Sequence, residues 1–286
     1  MNLRSAIARG LAAALVSVGL VLAGDVETVT ELVDGEGAEN IVVECEFGAG
    51  ELSIRSGDIA EVVSLEISET PRWVRHEVDY YKRGNTGYLR LESDLRRGRV
   101  HDDLENEWNL TLSTRYPLKL DMEIGACEAE FDLGGLPITE LHLEVGATSG
   151  KIDFSKPNKE ELRDFSISTG ASSLEIYNLG NANFERLEFE AGASSCVLDF
   201  HGEFSGEAVV EVDVGVGSVD IDIPSDMAVR IETDEDSWFS SVDFKGLRLE
   251  SLGRGIYESR GFDDADDRLI FVVDVGLGSV DFHGRR

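Results

Sequence analysis

Apolar residues alternate with polar ones over most of the chain, in short runs that change phase near glycine. Alternation of period two is the pattern of a β-strand with one face buried. In the clearest run Val212, Val214 and Val216 lie on one parity, whereas Val219, Ile221 and Ile223 lie on the other. The same one-residue slip recurs from Ala49 to Leu52, Ala126 to Ala129, Ala171 to Leu174, Ala193 to Cys196 and Leu277 to Val280. A strand reverses its inward parity only at a bulge or corner, where glycine supplies backbone angles that other residues resist. The pattern therefore predicts units of two short strands meeting at a glycine-rich corner. The small residue after the first glycine, usually alanine, is expected to fill a crowded inside corner. Helical periodicity is almost absent, and its best exception is Lys159–Asp164.

The units form a repeat. Related segments are Phe47–Ile54, Ile124–Phe131, Val145–Ile152, Thr169–Ile176, Ala191–Leu198, Val214–Ile221 and Val275–Phe282, and the first glycines at 125, 146, 170, 192 and 215 lie 21, 24, 22 and 23 residues apart. An eighth, decayed copy ends at Ser241-Val242-Asp243-Phe244, because Ser241 follows Ser218 by 23 residues. One such unit cannot bury its apolar side alone, so copies must stack, with strands about 4.8 Å apart. The expected fold is all-β: a single-stranded β-helix or β-solenoid with rungs of ~22 residues. The repeat domain is expected at 119–286, after an N-terminal β region at 24–118 that includes a first rung at about 42–57. Within residues 58–120 the strands expected are Val63–Ile67, Val74–Tyr80, Tyr88–Glu92 and Trp108–Leu112, with a hairpin connection at Arg83-Gly84-Asn85-Thr86-Gly87. Residues 245–270 read as a hairpin excursion before the last rung.

The first residues change the compartment. Arg4 and Arg9 precede an uncharged run from Gly10 to Gly24 rich in Leu, Ala and Val, the pattern of a signal peptide spanning 1–23 with cleavage near Ala23. Leu22-Ala23-Gly24 would begin a lipoprotein box, but Asp25 stands where the lipid-bearing cysteine belongs. The chain is thus expected to be exported, to the periplasm or the cell surface, with no later membrane span. Its formal charge is −31, and removal of 1–23 takes away two arginines and no acid, leaving −33. A surface this negative repels phosphate backbones, which argues against nucleic acid as a partner. Cys45, Cys127 and Cys196 are spaced like no metal knuckle or redox motif and read as small buried hydrophobes, with pairing left open.

Candidate chemistry is sparse. The five histidines (His76, His101, His142, His201 and His283) form no HxxxH or HExxH arrangement, and no Gly-X-Ser-X-Gly elbow occurs. Gly146–Lys151 lacks the second hydroxyl residue of a phosphate-binding loop and the helix that should follow. Gly217-Ser218-Val219-Asp220 is near a calcium nonapeptide, but its aspartate falls one position late. Glu123, Glu144, Glu190, Asp213 and Asp274 each stand two residues before a corner glycine, so stacking would gather them into a column of like charges. Asp213 and Asp274, with Asp263, Asp264, Asp266 and Asp267 of an acidic loop, are the candidates for loosely held divalent cations; no dedicated metal or cofactor site is expected. Tyr80, Tyr81 and Trp108 are the candidate contact points for a partner.

Glu107-Trp108-Asn109-Leu110, Tyr116-Pro117-Leu118, Leu133-Gly134-Gly135-Leu136-Pro137 and the paired Asp-Val-Gly-X-Gly-Ser-Val-Asp copies at 213–220 and 274–281 resemble the toast-rack family of bacterial cell-envelope β-solenoids. That family is similar to the C-terminal domain of LiaF-type cell-wall antibiotic response proteins and to adhesin domains. The resemblance covers residues 40 to 286 and implies a non-catalytic envelope module, adhesin-like or linked to envelope stress, whose partner is an envelope protein or a glycan. It supplies no catalytic residues. The chain departs from the LiaF pattern in lacking a group of N-terminal membrane helices. Two alternatives stand beside it: a β-helix polysaccharide lyase or hydrolase, since such folds carry carboxylate clusters, and a divalent-cation-binding surface protein.

Overall fold

The computed structural model describes residues 15–23, 25–96, 104–233 and 240–285, and residues 1–14 of the expected leader lie outside them. Its 19 strands join in one sheet, and the only helical turns among the described residues are short 3₁₀ turns, such as Leu179–Ala182 and Phe262–Asp264. No helix of the described residues is long and apolar enough to cross a membrane. The stretch Lys159–Asp164 is not helical; Leu162 instead makes a parallel bridge to Phe184. A buried asparagine decides this locally. Asn158 accepts the Ile138 amide (2.8 Å) and donates to the Ile138 and Ala182 carbonyls (2.8 and 3.1 Å), tying its own loop to those on either side.

The centre is a parallel stack. Strand β8 (Leu118–Asp132) is followed by β9 (Ile138–Val145) and β10 (Ser149–Asp153), β11 (Asp164–Thr169) and β12 (Ser173–Tyr177), β13 (Arg186–Asp199) and β14 (Glu207–Pro224). Before the bend, register places Ile124, Val145, Thr169, Ala191 and Val214 side by side in that order. After it, Phe131, Ile152, Ile176, Leu198 and Ile221 are neighbours in the same way. Both rows are buried, so the recurrence of glycine in the sequence is the register of strands in space.

At the ends, spatial order departs from chain order. Strand β19 (Arg268–Arg285) lies parallel beside β14, setting Val214 opposite Val275 and Ile221 opposite Phe282. Beyond it lie β15 (Ala228–Thr233) and β16 (Ser240–Lys245), with Val242 opposite Val280 and Phe244 opposite Phe282. The decayed eighth copy is therefore a true layer of the stack, and it, not the last copy in sequence, is the outermost. The segment read as an excursion before a terminal rung supplies β17 (Leu249–Gly253) and β18 (Ile256–Ser259), and β18 pairs antiparallel with β15. The other end mirrors this: β3 (Asn40–Gly57) pairs with β8 on one side and with β6 (Thr86–Leu95) and β7 (Asn106–Ser113) on the other. Antiparallel strands then cover the outer layer, β5 (Val74–Arg83) on β6 and β4 (Val63–Glu69) on β7. Strand β2 (Val26–Val33) pairs with β4, and β1 (Leu15–Ala23) with β2. This pairs the outer edges of β6, β7 and β15, which would otherwise template aggregation.

The bend corrects two expectations. Strands β3, β8, β13, β14 and β19 run through it unbroken, whereas the β9–β10, β11–β12 and β15–β16 copies each divide into two strands. Ala49 is buried in the first copy, but in the later copies the residue after the first glycine does not fill an inside corner: Ala126, Ala147, Ala171 and Ala193 are exposed, and their counterparts Val216 and Leu277 are 51% and 54% exposed. The inside position belongs to the next residue: Cys127, Thr148, Ser172 and Ser194 are buried there, and Gly50, Gly217 and Gly278 occupy it in the remaining copies. The buried hydroxyls act on the backbone. Thr148, Ser172 and Ser194 each donate to the corner-glycine carbonyl of the copy before, at Gly125, Gly146 and Gly170, all at 3.1 Å. Those carbonyls also accept the amides of Ala147, Ala171 and Ala193 (2.7–3.0 Å), so the ladder is satisfied through the turn. The three cysteines are free and buried; burial pushes the Cys45 thiol up to about 12 and that of Cys127 to about 11, which fits inert core residues.

Candidate functional site

Parallel register brings the predicted acids together. Glu46, Glu123, Glu144, Ser168, Glu190, Asp213 and Asp274 are successive neighbours across the stack. All the carboxylates are exposed, because each stands one residue from a buried Phe47, Ile124, Val145, Ala191, Val214 or Val275. Ser168 divides the column into two acidic runs. Glu46 is ion-paired with Arg90 (3.0 Å), but among the described residues no cation lies within ion-pair distance of Glu123, Glu144, Glu190, Asp213 or Asp274. The glycine row two residues on has no side chains, so a shallow trough follows the acids. One hollow of ≈ 490 Å³ is lined by Glu123, Gly125, Glu144, Gly146 and Gly170 among others, and a second of ≈ 280 Å³ continues past Glu190, Gly192, Asp213 and Gly215.

Asp213 and Asp274 stand directly opposite each other, yet no group of three or more metal-ligating side chains converges among the described residues. The acidic loop is partly committed elsewhere: Asp267 accepts the Gly206 amide (2.8 Å), and Asp263 lies 3.6 Å from Arg230. Phe262 anchors that loop beneath the guanidinium groups of Arg230 and Arg268, 4.5 and 5.6 Å from its ring. Asp264 and Asp266 point to solvent.

Of the three aromatic residues expected as contact points, only Tyr81 is on the surface. It is 40% exposed, stacked on Tyr88 at 5.0 Å, with the Arg83 guanidinium 5.1 Å from its ring. Tyr80 is buried, its hydroxyl donates to the Gly35 carbonyl (2.8 Å), and burial pushes its pKa up to about 12. Trp108 is wholly buried, packed edge-on against Phe47 at 5.6 Å. Both are core because they fall on the inward parity of β5 and β7.

A second polar cluster was not anticipated. His76 on β5 sits between two nearly buried carboxylates, with Nδ1 3.0 Å from Glu69 of β4 and Nε2 3.9 Å from Glu31 of β2. The close Glu69 contact, helped by the charges of Glu31 and Glu27, raises the imidazole pKa against the opposing effect of burial. Burial raises the pKa of Glu31, which His76 partly offsets. The two ring nitrogens point to different carboxylates, so this is a clamp between strands and not a metal centre. A sequence signal existed: Glu31 and Glu69 share the parity of Val33 and of Val63, Leu65 and Ile67, where an acid has no solvent.

Residues 22–177 match the model of the N-terminal domain of toast_rack. The chain belongs to the toast-rack family. In this toast-rack chain the matched span opens at the end of β1 and runs to the end of β12, so it takes in the N-terminal layers and half of the acidic column. Among solved structures, a "putative cell adhesion protein" from Clostridium sporogenes is 18% identical with a TM-score of 0.43, covering 90% of this chain and 99% of that one. A "putative adhesin" from Bacteroides fragilis is 9% identical with a TM-score of 0.37 (91% and 98% covered). Another from Parabacteroides distasonis is 10% identical with a TM-score of 0.30 (91% and 97% covered). Likenesses this distant transfer no role. No curated protein matches the chain.

Proposed function

We propose that this toast-rack chain is a non-catalytic, exported cell-envelope module, adhesin-like in role, that binds through the exposed columns of its parallel stack. On this reading the stack is a single-stranded β-solenoid with rungs of about 22 residues, residues 1–23 are a leader, and the mature protein lies in the periplasm or at the cell surface. The observation that carries it is the register of six exposed carboxylates along one face, five of them without a cation partner among the described residues. Repetition of one chemical group at strand spacing suits a partner that is itself extended and repetitive, and whose positive groups or bridging divalent cations neutralise the column.

The test is sedimentation of the exported protein with envelope material from the same cells, with and without chelator. The comparison is a variant carrying Glu123→Gln, Glu144→Gln and Glu190→Gln. Wild-type protein is expected to sediment with envelopes and the variant to stay in solution. Loss of wild-type binding in chelator would assign the contact to bridging cations, which calcium calorimetry would show directly. Equal binding by both proteins, or a chain confined to the cytoplasm, would overturn the reading.

A further inference from the structure

Export, if it proceeds as proposed above, exposes an edge of β2. Strand β2 has two neighbours: β4 pairs with it from Glu27 to Val33, and β1 pairs with its other edge, Val26 opposite Ala23 and Val33 opposite Leu15. Every residue of β1 falls within the segment that export would remove, and the family match begins only at residue 22. Processing therefore strips one whole edge of an eight-residue strand. We propose that the processed chain pairs with a second copy of itself through this edge, β2 against β2, and that β1 covers the edge until processing.

The edge is lightly defended. Natural edge strands carry lysine, proline, glycine kinks or short length to block pairing, and Val26–Val33 has none of these; its charges are Glu27 and the inward Glu31, which His76 faces from the core side. Strand β5, whose outer edge is unpaired among the described residues, carries Arg75, Lys82 and Arg83. The vacated slot is antiparallel, which is the direction in which a two-fold-related copy of β2 presents itself.

Register can be chosen by charge. Opposed residues must point to the same face, so only registers centred on one residue are allowed. Centring on Val29 would set Glu27 opposite Glu31 on both sides of the axis, a repulsive pairing. Centring on Thr30 sets Val29 opposite Glu31, Thr28 opposite Leu32 and Glu27 opposite Val33, with no like charges facing. Glu31 and Val33 are buried towards the core, so Thr30 lies on the other face with Thr28, whose hydroxyl meets that of Ser68 at 2.9 Å. Two copies of residue 30 would then stand directly opposite each other. With −33 on each copy, association must work against net repulsion and should strengthen with salt.

The full chain is expressed with its own leader, recovered from the export compartment, and its N-terminus fixed by intact mass. Sedimentation at low and high salt is expected to show a dimer whose dissociation constant falls as salt rises. Thr30→Cys should oxidise to a cross-linked dimer and Thr28→Cys should not; Cys45, Cys127 and Cys196 are buried and do not compete. Thr30→Lys should give a monomer with an unchanged melting temperature. A processed chain that is monomeric at both salts, cross-linking at 28 instead of 30, or a dimer indifferent to Thr30→Lys each overturns the pairing while leaving export intact. A chain that keeps β1 overturns both.

Discussion

A paired substitution at one bend tests which residue the turn crowds. A methyl group added at Gly192 would lie 2.8 Å from the Gly170 carbonyl oxygen and 3.0 Å from that of Thr169, where ordinary contact begins at 3.4 Å. Neither oxygen belongs to a flexible side chain. The Gly170 oxygen already accepts the Ala193 amide at 2.7 Å and the Ser194 hydroxyl at 3.1 Å, so retreat would stretch the bonds that carry the ladder through the bend. Overpacking of this kind costs ~1–3 kcal/mol, offset by ~0.4–1 kcal/mol from the stiffer unfolded chain. Gly192→Ala is therefore expected to destabilise by ~1–2 kcal/mol. Ala193→Val adds more volume one residue on, yet Ala193 is exposed and its neighbour in the next copy is Val216, so its effect should stay within about ±0.5 kcal/mol. Urea midpoints for the two variants, at unchanged slope, decide the matter. A neutral Gly192→Ala together with a costly Ala193→Val would refute the assignment and restore alanine to the inside corner.

Trp108→Ala should cost ~3–5 kcal/mol in the same assay, since the indole is wholly buried against Phe47 in the layer that closes the N-terminal end. The His76 clamp gives a pH dependence. Both His76 and Glu31 bind protons more tightly folded than unfolded, so the unfolded chain holds fewer protons and stability falls as pH rises. The Glu31 contribution starts to be lost above its ordinary 4.5, and that of His76 is complete below 6.5 and lost as pH passes its raised value. His76→Gln should flatten the decline above pH 6.5 and cost ~1–3 kcal/mol below it by leaving the carboxylates without a cation. A decline of unchanged slope in the variant would show that the clamp is not its source.

Much of the fold could be read from residues, and the failures have physical causes. Corner glycines predicted the strand register because each copy's glycine lies against the carbonyl of the copy before, which leaves little freedom to slide. Which side of the bend takes the alanine could not follow from parity alone, since a slip leaves one extra residue and parity does not say which. Size could have decided it: Val216 and Leu277 stand where other copies have alanine, and neither fits a corner closed to Cβ atoms. The spatial order of the last layers was also partly legible. The two most similar copies, at 213–220 and 274–281, are direct neighbours, and the eighth copy shares its final phenylalanine with 279–282 rather than with the isoleucine at 221. The His76 clamp matches no histidine motif; its trace in the sequence is a pair of acids, Glu31 and Glu69, on an inward parity.

The acidic column differs in kind from these features. The buried rows and the hydroxyls that cap the glycine carbonyls contribute to folding and offer a partner no side chain, and the corner glycines offer it only the backbone floor of the trough. The column contributes the opposite sign: two unit charges about 5 Å apart in water repel by ~0.8 kcal/mol before screening, and the register holds four such acid neighbours, Glu46–Glu123, Glu123–Glu144, Glu190–Asp213 and Asp213–Asp274. The stack bears this because its stability comes from the core behind the column. Neutralising Glu123, Glu144 and Glu190 should therefore leave the fold intact or firmer, most visibly at low salt, where screening is weakest. Loss of envelope binding by that variant could then be assigned to the surface itself, because any damage to the stack would appear in the opposite direction.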